Sequence, residues 1–257
     1  MKKYFKIIFS VFIAYTANAT TLEQTFNVEI GVFDAAKAQV SYTLNDADYL
    51  FSSQIKTSGM FDNFYSFKAE YLTSGELKEN SFLTQNYQQK TQSSAHLRKK
   101  HLLFDKNGIL TQRISSKDNE QKKVDITLPD IKIDAFDIQT VLIMLIKNFK
   151  DTHSCDLNKT VFNGKKIYHI TVKDSGRVLF KDKKVPLSGE SFACVAFIHQ
   201  EKVEEGDLLW KVSSERNIKF YLMLDKATNL PFLAKMEIAS TPLGKLEAYI
   251  TDLEIKE

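Results

Sequence analysis

Asp134-Ala135-Phe136-Asp137-Ile138-Gln139-Thr140-Val141-Leu142-Ile143-Met144-Leu145-Ile146-Lys147-Asn148-Phe149-Lys150 is the stretch that decides the fold. Ile138, Val141, Leu142, Leu145, Ile146 and Phe149 recur at spacings of three and four, the period of a helix face. Ile143 and Met144 widen the apolar arc, so a helix over about 135–150 should be buried on most of its circumference. Asp134 is suited to cap its start, and Lys147 and Lys150 suit the negative end of its dipole. The run is too short to span a bilayer, and Asp137 and Gln139 lie near its start. Such a helix in a β-rich chain is expected to plug one face of a curved sheet.

Outward from this helix the chain alternates with a period of two. Phe26, Val28 and Ile30 alternate with polar residues, as do Ala38, Val40, Tyr42 and Leu44. Further strands are expected over 49–58, 64–71, 79–89, 94–104 and 109–116. The Asn107-Gly108 pair should supply the positive φ angles of a tight hairpin between the last two. A polar stretch at 115–133 is read as the crossing to the helix. Beyond the helix, strands are expected over 166–173, 177–181, 191–200, 208–213, 218–224, 232–240 and 245–255. Turns at Asp174-Ser175-Gly176, Glu204-Glu205-Gly206-Asp207 and Pro242-Leu243-Gly244 separate some of them, and Trp210 sits in the fourth. Roughly twelve antiparallel strands and one helix imply a mainly β fold: a large curved sheet or open barrel wrapped around an apolar helix.

The first nineteen residues read as an address. Lys2, Lys3 and Lys6 precede an apolar run from Ile7 to Tyr15, and Ala17-Asn18-Ala19 is a small-x-small cleavage site. The expected mature protein is a single β-rich domain over 20–257, periplasmic, without a transmembrane segment after processing. The formal charge of the whole chain is +3, and the signal removes three lysines and no acid. A near-neutral mature chain argues against a nucleic-acid partner. The basic run Arg98-Lys99-Lys100-His101 is read either as a solvated strand face or as a contact for an anionic lipid or acidic partner.

Cys155 and Cys194 are the two cysteines, and in an exported protein a lone pair most simply forms one disulfide. A catalytic thiol would want a Cys-x-x-Cys motif or a partner histidine, and neither is legible. The five histidines, at 96, 101, 153, 169 and 199, show no metal-ligand spacing beyond His153 near Cys155. No metal or cofactor is expected.

The order of features resembles a known family. The helix is followed by Cys155-Asp156 and Val161-Phe162-Asn163-Gly164-Lys165-Lys166-Ile167-Tyr168. Then come Gly189, Phe192-Ala193-Cys194, Leu230-Pro231 and Thr241-Pro242-Leu243-Gly244. This is similar to the exported bacterial family DUF3108, a domain of unknown function. The resemblance implies a strongly bent antiparallel sheet around a helix, similar in outline to periplasmic lipoprotein carriers and β-spiral envelope proteins. It implies no activity.

No nucleophile elbow, zinc-protease helix or phosphate-binding glycine loop is present in the sequence, and an enzyme is not expected. Binding is the favoured class. Phe51, Phe61, Phe64, Tyr65, Phe67, Tyr71 and Phe82 crowd the front half. They either pack against the helix or, as Phe51, Phe64, Phe67 and Tyr71 with Leu142, Leu145 and Ile146, form an apolar groove. The expected role is a non-enzymatic envelope protein whose partner is a lipid, a lipoprotein or another envelope protein. A scaffold without a small ligand and an envelope-polymer hydrolase are the alternatives.

Overall fold

The computed structural model describes residues 20–78, 81–126, 135–163, 166–200, 218–241 and 244–256. The signal segment, Asp134, the 204–207 turn, the 208–213 strand with Trp210, Gly164-Lys165 of the family-like segment and Pro242-Leu243 of the last turn lie outside them. The front half comprises β1 (Thr21–Ile30), β2 (Phe33–Leu44), β3 (Asp48–Thr57), α1 (Gly59–Phe64), β4 (Phe67–Lys78), β5 (Ser81–Ser93), β6 (Leu97–Phe104), β7 (Leu110–Lys117) and β8 (Glu120–Asp125). The back half comprises β9 (Ala135–Phe136), α2 (Ile138–Thr152), β10 (Leu157–Phe162), β11 (Ile167–Phe180), β12 (Gly189–Gln200), β13 (Ile218–Leu224), β14 (Pro231–Thr241) and β15 (Gly244–Lys256).

All fifteen described strands join one sheet in the order β8-β7-β6-β5-β4-β3-β2-β1-β15-β14-β13-β12-β11-β10-β9. The first and last strands pair at its centre, Leu22 facing Ile255 and Val28 facing Ala248. Among the described pairings only β9 and β10 run parallel; the others are antiparallel, as expected of strands joined by short turns. Burial alternates along β1, where Leu22, Gln24, Phe26 and Val28 are buried on the inner side. The sheet curls around α2. Ile143 joins the core of Leu22, Phe26, Tyr42 and Phe51, and Val141, Leu145 and Phe149 join that of Ile170, Val172, Phe220 and Leu222. The two sheet ends meet through side chains: Tyr87, Leu102 and Leu110 of the front half pack with Phe162 of the back half.

Several sequence expectations are corrected. The 115–133 stretch is not a bare crossing, since β7 and β8 form a hairpin with Lys117 opposite Glu120. Edge strands carry charge on both faces, which hides the alternation. Asp174-Ser175-Gly176 is a bulge inside one long strand, not a turn between two. Gly176 takes φ +93° there, a conformation open to glycine. In the Asp105–Gly108 turn only Gly108 has positive φ. Asp105 Oδ1 accepts from the N–H groups of Asn107 and Ile109, making a longer loop than the pair alone implies. Helix α1 is an addition to the expected elements.

Candidate functional site

The site is built around α2. Its N-cap is Asp137, three residues later than Asp134. The Asp137 carboxylate accepts from the backbone N–H of Gln139 and Thr140, both at 3.0 Å. It also accepts from Thr73 at 3.0 Å, from Thr84 at 3.2 Å and from the hydroxyl of Thr140. The Tyr49 hydroxyl closes the cluster, 3.0 Å from Thr140 and 3.2 Å from Thr84. Asp137 is 1 % exposed. Burial pushes its carboxyl above the ordinary range, against the pull of Thr140, Thr73 and Thr84. Burial likewise raises the Tyr49 phenol to about 12. Gly75 lies beside this ring: a Cβ there would stand 2.5 Å from Tyr49 Cζ. The cluster is a capping device for a helix start inside the barrel, with both oxygens of the carboxylate engaged by donors.

At its other end α2 stops at His153, which adopts φ +55° and donates its N–H to Phe149 O at 2.9 Å. Two residues on, Cys155 is joined to Cys194 on the inner face of β12, with a Cα separation of 6.3 Å. Phe149 meets Phe192 edge-on beside the bond, ring centroids 4.7 Å apart.

Between these two anchors one face of α2 stands off the sheet, while Ile143 stays packed in the core. A cavity of about 240 Å³ lies under it. Phe26, Val40 and Phe51 line it from the front half, and Ile170, Ala196 and Phe220 from the back half. Leu142, Leu145 and Ile146 form its roof. Leu142 is 39 % exposed although it faces this space, so among the described residues the cavity opens along the helix. The polar groups in the lining are turned away. The Gln24 amide donates to Leu233 O at 3.0 Å, and the Tyr42 hydroxyl to Pro231 O at 2.5 Å. What remains facing inward is hydrocarbon.

The residues of the expected groove divide. Phe51, Leu142, Leu145 and Ile146 come together in the cavity. Phe64 does not, being 83 % exposed on α1. Phe67 stacks on Tyr65 near that helix, with centroids 6.0 Å apart. Tyr71 packs with Tyr87 and Leu102 where the sheet ends meet. The sequence does not show that α1 interrupts the aromatic run and turns Phe64 outward. Phe26, Val40 and the β11–β14 wall are absent from the expected groove because their alternation reads equally well as ordinary core.

A second buried charge lies on the outer face. Lys235 contacts Asp182 at 2.6 Å and Glu237 and Glu247 at 2.9 Å. Burial alone would lower its ammonium, but these three carboxylates outweigh that and raise it. Lys245 and Lys235 together hold the Glu247 carboxyl down at about 2. This cage fastens the segment after β11 across β14 and β15, a stabilising role. Among the described residues no group of three or more His, Cys, Asp or Glu side chains is placed to hold a metal ion. No helix among them is long and apolar enough to cross a membrane.

Comparison with known proteins fits this architecture. Residues 25–251 match the sequence model of DUF3108, described as a protein of unknown function. The chain belongs to the DUF3108 family. No curated protein matches the chain. Among solved structures, the DUF3108 chain is similar to a β-barrel-like protein of the domain of unknown function DUF1849 from Brucella abortus. The TM-score is 0.55 at 9 % identity, covering 93 % of this chain and 99 % of that one. At that identity the likeness concerns the fold alone.

Proposed function

We propose that this DUF3108 protein is an exported, non-enzymatic periplasmic protein that supports the cell envelope by binding an acyl chain beneath α2. The observation that carries the reading is the cavity lined by hydrocarbon and open at Leu142. Its 240 Å³ exceeds the ~150 Å³ of an engineered cavity that takes up benzene, and falls below the ~300–1,000 Å³ typical of small-molecule sites. That size suits part of one alkyl chain, from a lipid or a lipoprotein, rather than a whole two-chain lipid. The start of the sequence supports export, and a cysteine pair bonded as Cys155–Cys194 suits an oxidising compartment.

A second reading, a protein-contact scaffold, draws on one patch. Val32 and Phe33 of the β1–β2 turn and Met60, Phe64 and Tyr65 around α1 are all exposed. The two segments adjoin, since Ser58 donates its N–H to Ala35 O at 3.0 Å.

Native mass spectrometry of protein recovered from the periplasm, with lipid extraction of the same sample, tests the proposal. Adducts of a few hundred daltons released by denaturation are expected. A bare mass, with no uptake of added fatty acid, overturns the acyl-chain reading and leaves the scaffold.

A further inference from the structure

The pleat of β6–β8 separates charge in a way the acyl-chain reading does not use. Strand pairing sets Tyr71, Gln89, Lys100, Ser115 and Lys122 in one row across the sheet. Val40 and Ser53 begin that row, and Val40 lines the cavity, so the row is on the inner face. The next inner row carries Thr91, Arg98, Lys117 and Glu120, and the row on the other side carries Leu102 and Arg113. Among the described residues, Arg98, Lys100, Lys117 and Lys122 therefore share the inner face of these strands with Glu120. Arg98 and Lys117 stand directly opposite each other, like charges that cost stability, and of the two only Lys117 has an acid across from it on its other side, Glu120. The outer face of the same lobe is mixed and paired, as with Glu70 between Lys68 at 2.5 Å and Lys90 at 3.4 Å. Among the described residues Arg98, Lys100, Lys117 and Lys122 make no ion pair. Lys100 is half-buried, and burial, then the charge of Arg113, lowers its ammonium to about 8.

We infer that the inner face of β6–β8, centred on Lys100 and Arg98, is an anion-binding surface for the phosphate or carboxylate head of the amphiphile whose chain enters the cavity. The inference rests on the acyl-chain reading for the other end of the ligand. One apolar side chain links the two regions, while Ser53, on the row between them, accepts from the buried Gln139 at 3.1 Å. Ile138 lines the cavity and also packs with the cluster of Tyr87 and Leu102. Lys100 is two residues from Leu102 on the same strand face, about 7 Å along it. From Val40 to Lys100 the row crosses four strand spacings, about 19 Å along the sheet. That is the scale of an extended long-chain acyl group with its head at the cations. The charge arrangement selects an anionic head over a zwitterionic one.

The test is calorimetric titration of the protein with lysophosphatidylglycerol, lysophosphatidylcholine of the same chain, and glycerol phosphate, all below micellar concentrations. The anionic lysolipid is expected to bind about tenfold more tightly than the zwitterionic one. The gap should close in the Arg98→Gln/Lys100→Gln variant, with affinity for lysophosphatidylcholine unchanged. Added salt should narrow it too. Equal affinity for the two lysolipids in the unsubstituted protein overturns the head-group inference and leaves the acyl-chain reading standing. Binding of glycerol phosphate without either lysolipid overturns the amphiphile and assigns the surface to a free phosphate compound. No binding by any of the three overturns both.

Discussion

The two ends of α2 are held by different physics. The start is fixed by directional bonds to one buried carboxylate, from two N–H groups and three threonine hydroxyls. The finish is fixed by a covalent link from Cys155 to β12 and by edge-on packing of Phe149 on Phe192. Hydrogen bonds around a buried charge are cooperative and depend on protonation. A disulfide limits the unfolded chain and is indifferent to pH over the same range. A helix clamped at both ends can leave one face of its middle unpacked: Ile143 is buried in the core, while its neighbour Leu142 faces an open cavity. Here rigid ends make room for a site rather than fill it.

The largest effect is expected at the covalent end. The bond closes a loop with a sequence separation of 39 residues, for which chain entropy gives roughly 4 kcal/mol as an upper figure. Urea unfolding of a Cys155→Ala/Cys194→Ala variant should lose about 2–4 kcal/mol. Reduction of the unsubstituted protein should reproduce that loss. A variant as stable as the parent would mean that Phe149 and Phe192 hold this end alone, and the contrast between the ends would disappear.

The polar end should respond to two substitutions differently. Asp137→Ala removes the cap and leaves buried donors unsatisfied, a cost of roughly 2–3 kcal/mol. Asp137→Asn keeps an acceptor for the N–H groups, and its amide N–H can donate to the Thr84 and Thr140 hydroxyls, so it should cost far less. Acid sharpens the distinction. The Asp137 carboxyl is raised in the fold above its ordinary 3.8, so between those two values the native state holds the extra proton. Its contribution is most favourable below 3.8 and declines as pH rises through the raised value. The stability of the unsubstituted protein relative to Asp137→Asn should therefore fall as pH increases across that window. A difference that grows with pH would show that the carboxylate is stabilised by its donors more than burial disfavours it.

These residues also show how far the sequence reaches. The spacing from Ile138 to Phe149 suffices for a buried helix, because a strand repeats every two residues and only a helix returns its apolar face every 3.6. The cap falls at Asp137 rather than Asp134 because Ala135 and Phe136 pair with β10 as a strand before the helix begins, and Thr73 and Thr84 meet the Asp137 carboxylate there. The cysteine pair is legible because the two residues have no other partner of their kind. The cavity wall is only half legible. Phe51 and the helix residues stand out in the sequence, but a gap is a property of packing and not of composition. Arg98-Lys99-Lys100-His101 reads as one basic run, yet the pleat sends Arg98 and Lys100 inward and Lys99 and His101 outward. β8 is hidden because Glu120–Asp125 at a sheet edge needs no apolar face.

The smallest effect on stability is expected where the two anchors leave the helix unsupported. Leu142 is partly exposed and adjoins open space, so Leu142→Asn should cost under about 1 kcal/mol. Its effect on uptake should be larger, because the amide would set an unpaired polar group at the mouth of a cavity lined by hydrocarbon. Titration with a fluorescent fatty acid, beside urea unfolding of the same sample, separates the two quantities. Severalfold weaker binding with nearly unchanged stability is the expected pair of results. A loss near 3 kcal/mol, of the order seen for well-packed core positions, would mean that Leu142 is packed like the ends of the helix. Unchanged binding would mean that the chain does not enter beside it. The pairing matters because each anchor variant should move stability first and binding only through it, whereas this position should do the reverse.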